Sequence, residues 1–133
     1  MIAVDTNVVV RYLARDDEFQ AQQARMALES AETHIPTTVL LETEWVLRRS
    51  YGFDRTMILD AMQRLLGLPN VRLGDPTIVQ GTLELFQLGF DFADAMHLAS
   101  GPDHATFLTF DRSLIRTAQK RKVAQVKAPG ARS

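Results

Sequence analysis

Short apolar runs alternate with longer helix-forming segments along the whole sequence, and this alternation is the strongest constraint on the fold. Runs such as "IAV" near the start and "FLTF" at 107–110 have the length and composition of strands. The segments between them are rich in helix formers and carry Asp or Gly at their ends. Alternating strands and helices predict an α/β fold whose mostly parallel sheet has helices on both faces.

The helix ends follow from capping signals. We predict helices over 18–32 after Asp16 or Asp17, 39–52 ending at Gly52, 54–68 after Asp54, 76–89 with Pro76 first, 91–100 after Asp91, and 111–122. Extended segments are predicted at 33–38, 70–75, 105–110 and 123–126. At the N-terminus we expect Ile2–Val4 to form a buried strand, with no helix directly after Asp5.

The chain length of 133 residues predicts one domain, over 1–126, followed by a basic tail at 127–133. The last fourteen residues carry five basic side chains and no acidic one: Lys120, Arg121, Lys122, Lys127 and Arg132. Such a segment suits a phosphate backbone or an acidic partner. An ordinary solvated chain end is an equally good interpretation.

Several classes of protein are excluded or disfavoured. The chain has no Cys, which excludes disulfides and Cys-ligated metals, and its three His form no HExxH motif. The N-terminus lacks the positive region of a signal peptide, and no apolar stretch has the length of a membrane span. We therefore expect a cytoplasmic protein with no membrane partner.

The acidic residues differ in how easily an ordinary structural role explains them. Glu44 stands four residues before Arg48, the spacing of a helical ion pair. Glu42 shares its helical stripe with apolar residues such as Val39 and Trp45, so we expect it to need a buried partner. That partner is either a basic side chain from elsewhere in the fold or a metal ion.

Three further acids lie at predicted helix starts, where a capping role is also open. Asp91 and Asp111 are good N-caps, and Asp94 falls in the first turn after Asp91. Asp5 follows the first strand, and its carboxylate is left unexplained. Asp5, Glu42, Asp94 and Asp111 would repel one another if they met, and a hard divalent cation such as Mg²⁺ would relieve this repulsion.

The stretches "MIAVDTNVVVRYL", "TTVLLETEWVL", "GFDFADAMHLA" and "FLTFDRSL" together resemble the PIN-domain ribonucleases, above all the VapC toxins of prokaryotic type II toxin–antitoxin pairs. The resemblance runs from Met1 to about Val126 and rests on four motifs in order. It implies a three-layer α/β/α sandwich around a mostly parallel sheet. It also implies cleavage of RNA by metal-activated water, a homodimer, and inhibition by a cognate antitoxin.

The same resemblance assigns roles to individual residues. It places Asp5, Glu42, Asp94 and Asp111 around Mg²⁺ or Mn²⁺, with Asp5 and Asp94 as the best direct ligands. Thr6 and Asn7 would support the first acid, and Asp91 would be either a helix cap or a weaker contributor. Candidate contacts to RNA phosphates are Arg11, Arg15, Arg48, Arg49, Arg112 and Arg116, although ordinary surface charge is the better explanation for any one of them taken alone.

Two other functions remain open from the sequence. A phosphotransferase with Asp5 as nucleophile commonly has a second acid two residues later, but Asn7 stands there. A catalytically idle PIN-like module would bind RNA or a protein without cleaving it, and the intact acids disfavour this alternative. The sequence contains no P-loop motif, which disfavours a nucleotide-hydrolysing enzyme.

Overall fold

A computed structural model describes residues 1–123 and 125–130. The contacts within the chain divide it into two units, Met1–Pro76 and Thr77–Ser133. Arg132 of the predicted basic tail lies outside the described residues, whereas Lys127 lies within them. The predicted division into a domain at 1–126 and a tail at 127–133 stays a prediction.

The first unit consists of three short parallel strands and four helices. Its elements are β1 (Ile2–Ala3), α1 (Thr6–Ala14), α2 (Glu18–Ser30), β2 (Thr33–Ile35), α3 (Thr37–Tyr51), α4 (Arg55–Leu66) and β3 (Val71–Leu73). The strand order is β1-β2-β3, and Thr33 of the central strand pairs with Ile2 on one side and Val71 on the other. The prediction of an α/β fold with a parallel sheet is thus confirmed.

Side-chain and backbone caps set the ends of these helices, as the sequence predicts. Asp17 caps α2 by accepting a hydrogen bond from the Gln20 amide, and Asp54 caps α4 in the same way. Helix α3 ends at Gly52, whose φ of 67° is the left-handed conformation that favours glycine. Between the ends, fully buried residues such as Leu28 and Leu47 each contribute roughly 1.5–3 kcal/mol through burial.

Helix α1 was not predicted, because the Val8–Val10 run was interpreted as part of a strand and its exit. The strand covers only two residues, and the chain enters the helix at Thr6 directly after Asp5. The β-branched valines disfavour a helix only weakly. Burial outweighs that preference, since Val9, Val10 and Leu13 lie on one face and are almost fully buried.

The predicted burial of the first strand is also wrong in part. Ile2 and Ala3 are exposed, and only Val4 is buried. Within its own unit β1 is an edge strand that pairs with β2 alone. The strand therefore has fewer neighbours than the central strand, where Thr33 and Ile35 are fully buried.

The described residues of the second unit form three helices and a two-stranded parallel sheet. Its elements are α5 (Pro76–Gln87, beginning at the unit boundary), α6 (Phe92–Ser100), β4 (Phe107–Leu108), α7 (Arg112–Arg121) and β5 (Val126–Lys127). Phe107 pairs with Val126, so the last strand lies later than the predicted 123–126. The core of this unit is built from Phe90, Ala95, Leu114, Ala118 and Val126.

The helices described here are all shorter than a membrane span would require. Within residues 1–123 and 125–130, no helix combines the length and the apolar character needed to cross a bilayer.

Candidate functional site

Asp5 stands between the end of β1 and the start of α1. Its backbone is extended, with φ −85° and ψ 166°, and its Oδ1 accepts a hydrogen bond from the Thr6 amide at 2.8 Å. Asp5 is therefore an N-cap, the structural role that we had expected it to lack. The same position leaves the carboxylate exposed at the carboxyl end of the strand, where ligands bind in parallel sheets.

Thr6 connects the first turn of α1 to the middle of α3. Its side chain is buried, and its Oγ1 donates a hydrogen bond to Oε1 of Glu42. Glu42 therefore has a partner from a distant part of the chain, although the partner is a hydroxyl and not a cation. The contact places the carboxylates of Asp5 and Glu42 beside the same helix start.

The predicted burial of Glu42 is wrong, because α3 buries a different face. Its buried residues are Leu40, Thr43, Glu44 and Leu47, at the spacing of one helical stripe. Glu42 lies off this stripe and is exposed. The buried acid is Glu44, which accepts a hydrogen bond from Nε of Arg48 at 2.9 Å and forms the predicted ion pair.

An open cleft of about 400 Å³ lies between α1 and α3. Its lining residues are Asp5, Thr6, Asn7, Val10, Arg11, Glu42, Val46 and Tyr51. Asn7 is exposed there and adds an amide beside the two carboxylates. The first unit thus gathers four of the predicted site residues, namely Asp5, Thr6, Asn7 and Glu42, along one cleft.

The second unit gathers the other three predicted site residues. Asp91 caps α6, and its Oδ2 accepts a hydrogen bond from the Asp94 amide at 3.2 Å, so Asp94 occupies the first turn as predicted. Asp111 caps α7 and accepts hydrogen bonds from the amides of Ser113 and Leu114. Both capping roles weighed in the sequence analysis are therefore present in the structure.

These three carboxylates also interact electrostatically. Partial burial, and then the negative charges of Asp91 and Asp111, raise the pKa of Asp94 above its ordinary value, while His97 opposes the rise. A carboxylate under such repulsion is stabilised by a nearby cation. The oxygen-only character of these acids suits a hard divalent cation.

Within the part of the chain that the structure describes, no three His, Asp or Glu side chains form a group that could hold a metal ion. Mg²⁺ usually takes only one or two direct carboxylates and keeps several waters. The donor chemistry of these acids therefore fits Mg²⁺.

The predicted RNA-contacting arginines have different surroundings. Arg48 pairs with the buried Glu44, and the Arg49 guanidinium lies 5.7 Å from the ring centroid of Trp45. Arg15, Arg112 and Arg116 are exposed. Their contact with RNA stays a prediction.

One polar network was missed by the sequence analysis. Arg11 Nη1 donates to both carboxylate oxygens of Asp16 at 2.9 Å and to the Tyr51 hydroxyl at 3.0 Å, while that hydroxyl donates to Asp16 at 2.9 Å. The hydrogen bond from Tyr51 is the main cause that lowers the pKa of Asp16, and burial is the main cause that raises the pKa of Tyr51. The sequence offered one indication of this network. Asp16 and Asp17 are adjacent and only Asp17 caps α2, so the Asp16 carboxylate needs another partner.

Comparison with known families gives one clear match. The model of the PIN domain matches residues 2–120 of this chain. The matched range includes Asp5, Glu42, Asp94 and Asp111. A comparison with curated proteins gave no significant match.

Proposed function

The chain belongs to the PIN domain family, a nuclease-type fold, and on this premise we propose that it is a Mg²⁺-dependent endoribonuclease. The observation that carries the proposal is the family match across residues 2–120, which includes all four acids of the expected site. The mutual repulsion within the Asp91, Asp94 and Asp111 group supports it, because such a group favours a bound cation.

On the basis of the family resemblance, we propose that Asp5 and Asp94 are direct ligands of Mg²⁺, or of Mn²⁺ in its place. When bound, the ion would neutralise charge on the RNA phosphate and lower the pKa of an attacking water. Asp111 and Glu42 would complete the acidic site and orient that water by accepting its hydrogen bonds. Thr6 would hold Glu42 through the observed hydrogen bond, with Asn7 and Asp91 as further support.

The biological setting belongs to the same proposal. The resemblance to VapC toxins supports a role as the toxin of a type II toxin–antitoxin pair, acting on cytoplasmic RNA. On that basis the protein would form a homodimer and be inhibited by a cognate antitoxin.

The decisive experiment is an RNA cleavage assay with purified protein in Mg²⁺ and in EDTA. We expect cleavage only with Mg²⁺, and loss of cleavage in both Asp5→Asn and Asp94→Asn. Arg64→Gln is a control variant, because Arg64 is exposed on α4 and is not among the predicted site residues. Cleavage that persists in EDTA, or in either Asn variant, would overturn the proposed mechanism.

A catalytically idle RNA- or protein-binding module is the second candidate. The observation in its favour is that no three described acidic or His side chains form a metal-holding group. RNA binding without cleavage in both Mg²⁺ and Mn²⁺ would establish this alternative.

A further inference from the structure

Building on the ribonuclease function proposed above, we propose that the cleft between α1 and α3 binds one nucleobase of the RNA strand. The base would accept a hydrogen bond from Nη2 of Arg11 and pack against Val46. Asp16 and Tyr51 would act as positioning residues that fix the guanidinium.

Two polar contacts join α1 to α3, and both contribute residues to the cleft. Thr6 donates a hydrogen bond to Glu42, and Arg11 donates one to Tyr51. The cleft is therefore lined by the carboxylates of Asp5 and Glu42 near the first contact, and by the Arg11 guanidinium and the Tyr51 phenol at the second. Its volume of about 400 Å³ is within the range of small-molecule pockets.

The guanidinium of Arg11 is held from two sides. Nε donates to Oε1 of Gln20 at 2.6 Å, and Nη1 donates to Asp16 and Tyr51. None of the hydrogen bonds between Arg11 and the described residues uses Nη2. A donor that is already fixed loses little conformational entropy when a ligand binds.

The charges along the cleft favour a neutral base over a phosphate. Asp16 neutralises Arg11 through a direct ion pair, so the Arg11 end of the cleft has little net charge to attract a phosphate. A base acceptor carries no net charge and can still accept a hydrogen bond from Nη2 of Arg11. Asn7 offers an amide donor and acceptor, and the half-buried Val46 offers apolar surface for the face of a base. Unstacked bases of single-stranded RNA are recognised by such combinations of contacts.

The test measures binding without hydrolysis, by fluorescence anisotropy of short single-stranded RNA oligonucleotides in Ca²⁺. One oligonucleotide is intact, and each of the others has an abasic nucleotide at a different position. For the unaltered protein we expect one abasic position to weaken binding about tenfold, the effect of one charge-assisted hydrogen bond.

The Arg11→Gln variant is expected to bind the intact oligonucleotide about tenfold more weakly, with no further loss at that abasic position. Tyr51→Phe keeps the ring but removes the hydroxyl, and it is expected to reduce the loss of affinity that the abasic nucleotide causes at that position. Arg64→Gln should match the unaltered protein, which controls for the loss of one positive charge. We call the loss of affinity caused by an abasic nucleotide at each position the abasic profile. If Arg11→Gln has the same abasic profile as the unaltered protein, or if every abasic position weakens binding equally, the proposal is overturned.

A merely structural role for the network gives a different result. In that case Tyr51→Phe would lower the melting temperature while leaving the abasic profile unchanged, which would also contradict a positioning role. The binding assay can also be distinguished from a failure of the proposed ribonuclease function. If the protein does not cleave RNA in Mg²⁺, the effect of Arg11 on binding to the abasic oligonucleotides in Ca²⁺ is still expected.

Discussion

The hydroxyl of Thr6 donates a hydrogen bond to the carboxylate of Glu42, although the two residues are 36 positions apart in the sequence. The bond holds the first turn of α1 against α3, and Asp5 caps that same turn. Because Thr6 is only 6% exposed, water competes poorly for its hydroxyl. The orientation of the Glu42 carboxylate is therefore coupled to the position of Asp5.

This coupling predicts that Thr6→Val impairs cleavage more than folding. The substitution keeps the side-chain shape but removes the donor to Glu42, so we expect kcat for RNA cleavage to fall about tenfold. The exposed Glu42 carboxylate regains water, so the cost in stability should stay below about 1 kcal/mol. Thr6→Ser retains the hydroxyl and should keep most of the activity. Equal activity in the Val and Ser variants would contradict the role of this bond.

A second prediction concerns Asp94 in the absence of metal. Its raised pKa means that the folded state binds the proton more tightly than the unfolded state, so its ionisation costs stability as the pH rises through that pKa. Asp94→Asn removes this cost at pH 7. We therefore expect the metal-free variant to melt at a higher temperature than the unaltered protein. Scanning calorimetry in EDTA measures this difference.

Metal binding should reverse the order of the two melting temperatures, so that the unaltered protein melts above Asp94→Asn. Added Mg²⁺ is expected to raise the melting temperature of the unaltered protein and to leave Asp94→Asn unchanged, because a bound ligand stabilises only the state that binds it. A metal-dependent rise of the same size in both would exclude Asp94 as a ligand.

Much of the fold follows from local signals in the sequence. Asp54, Asp91 and Asp111 cap the helices that they were predicted to cap, and Asp17 is the cap of α2 among the two candidates Asp16 and Asp17, because capping depends only on the adjacent turn. Helix α1 was missed, because its Val8–Val10 run has strand propensity and only burial against other elements makes it helical.

The candidate site was less predictable than the fold. The hydrogen bond between Thr6 and Glu42, and the bonds that join Arg11, Asp16 and Tyr51, connect helices that are distant in sequence. The exposed position of Glu42 depended on which stripe of α3 is buried, and apolar residues occur on both of its candidate stripes. Periodicity alone could not decide between them.

The Asp16 network predicts a specific change in acid stability. Mainly the Tyr51 hydrogen bond, and also Arg11, lower the pKa of Asp16, so its stabilising effect is present above its unfolded pKa and is lost as the pH falls through the folded value. Asp16→Asn should therefore lower the melting temperature at pH 7, and this difference should shrink as the pH falls through the lowered pKa of Asp16. Melting curves across this range provide the measurement, and Asp17→Asn, which keeps an N-cap on α2, serves as the neighbouring control. A pH-independent difference would contradict the assignment.

The last prediction separates the two neighbouring glutamates of α3. Glu44 is 2% exposed and accepts a hydrogen bond from Arg48, so Glu44→Gln should destabilise the fold by roughly 1–2 kcal/mol. The Arg48 side chain is 43% exposed, which keeps this cost in stability below that of a fully buried ion pair. Glu42→Gln should change stability by less than about 0.5 kcal/mol but reduce cleavage about a hundredfold, the lower end of acid–base contributions.

Urea unfolding and cleavage kinetics on both variants test this contrast between Glu42 and Glu44. Because both changes remove one carboxylate from the same helix, each variant is the matched control for the other. If Glu44→Gln abolished cleavage without destabilising the protein, or if Glu42→Gln destabilised it without affecting cleavage, the assignment of Glu42 to the site would be wrong.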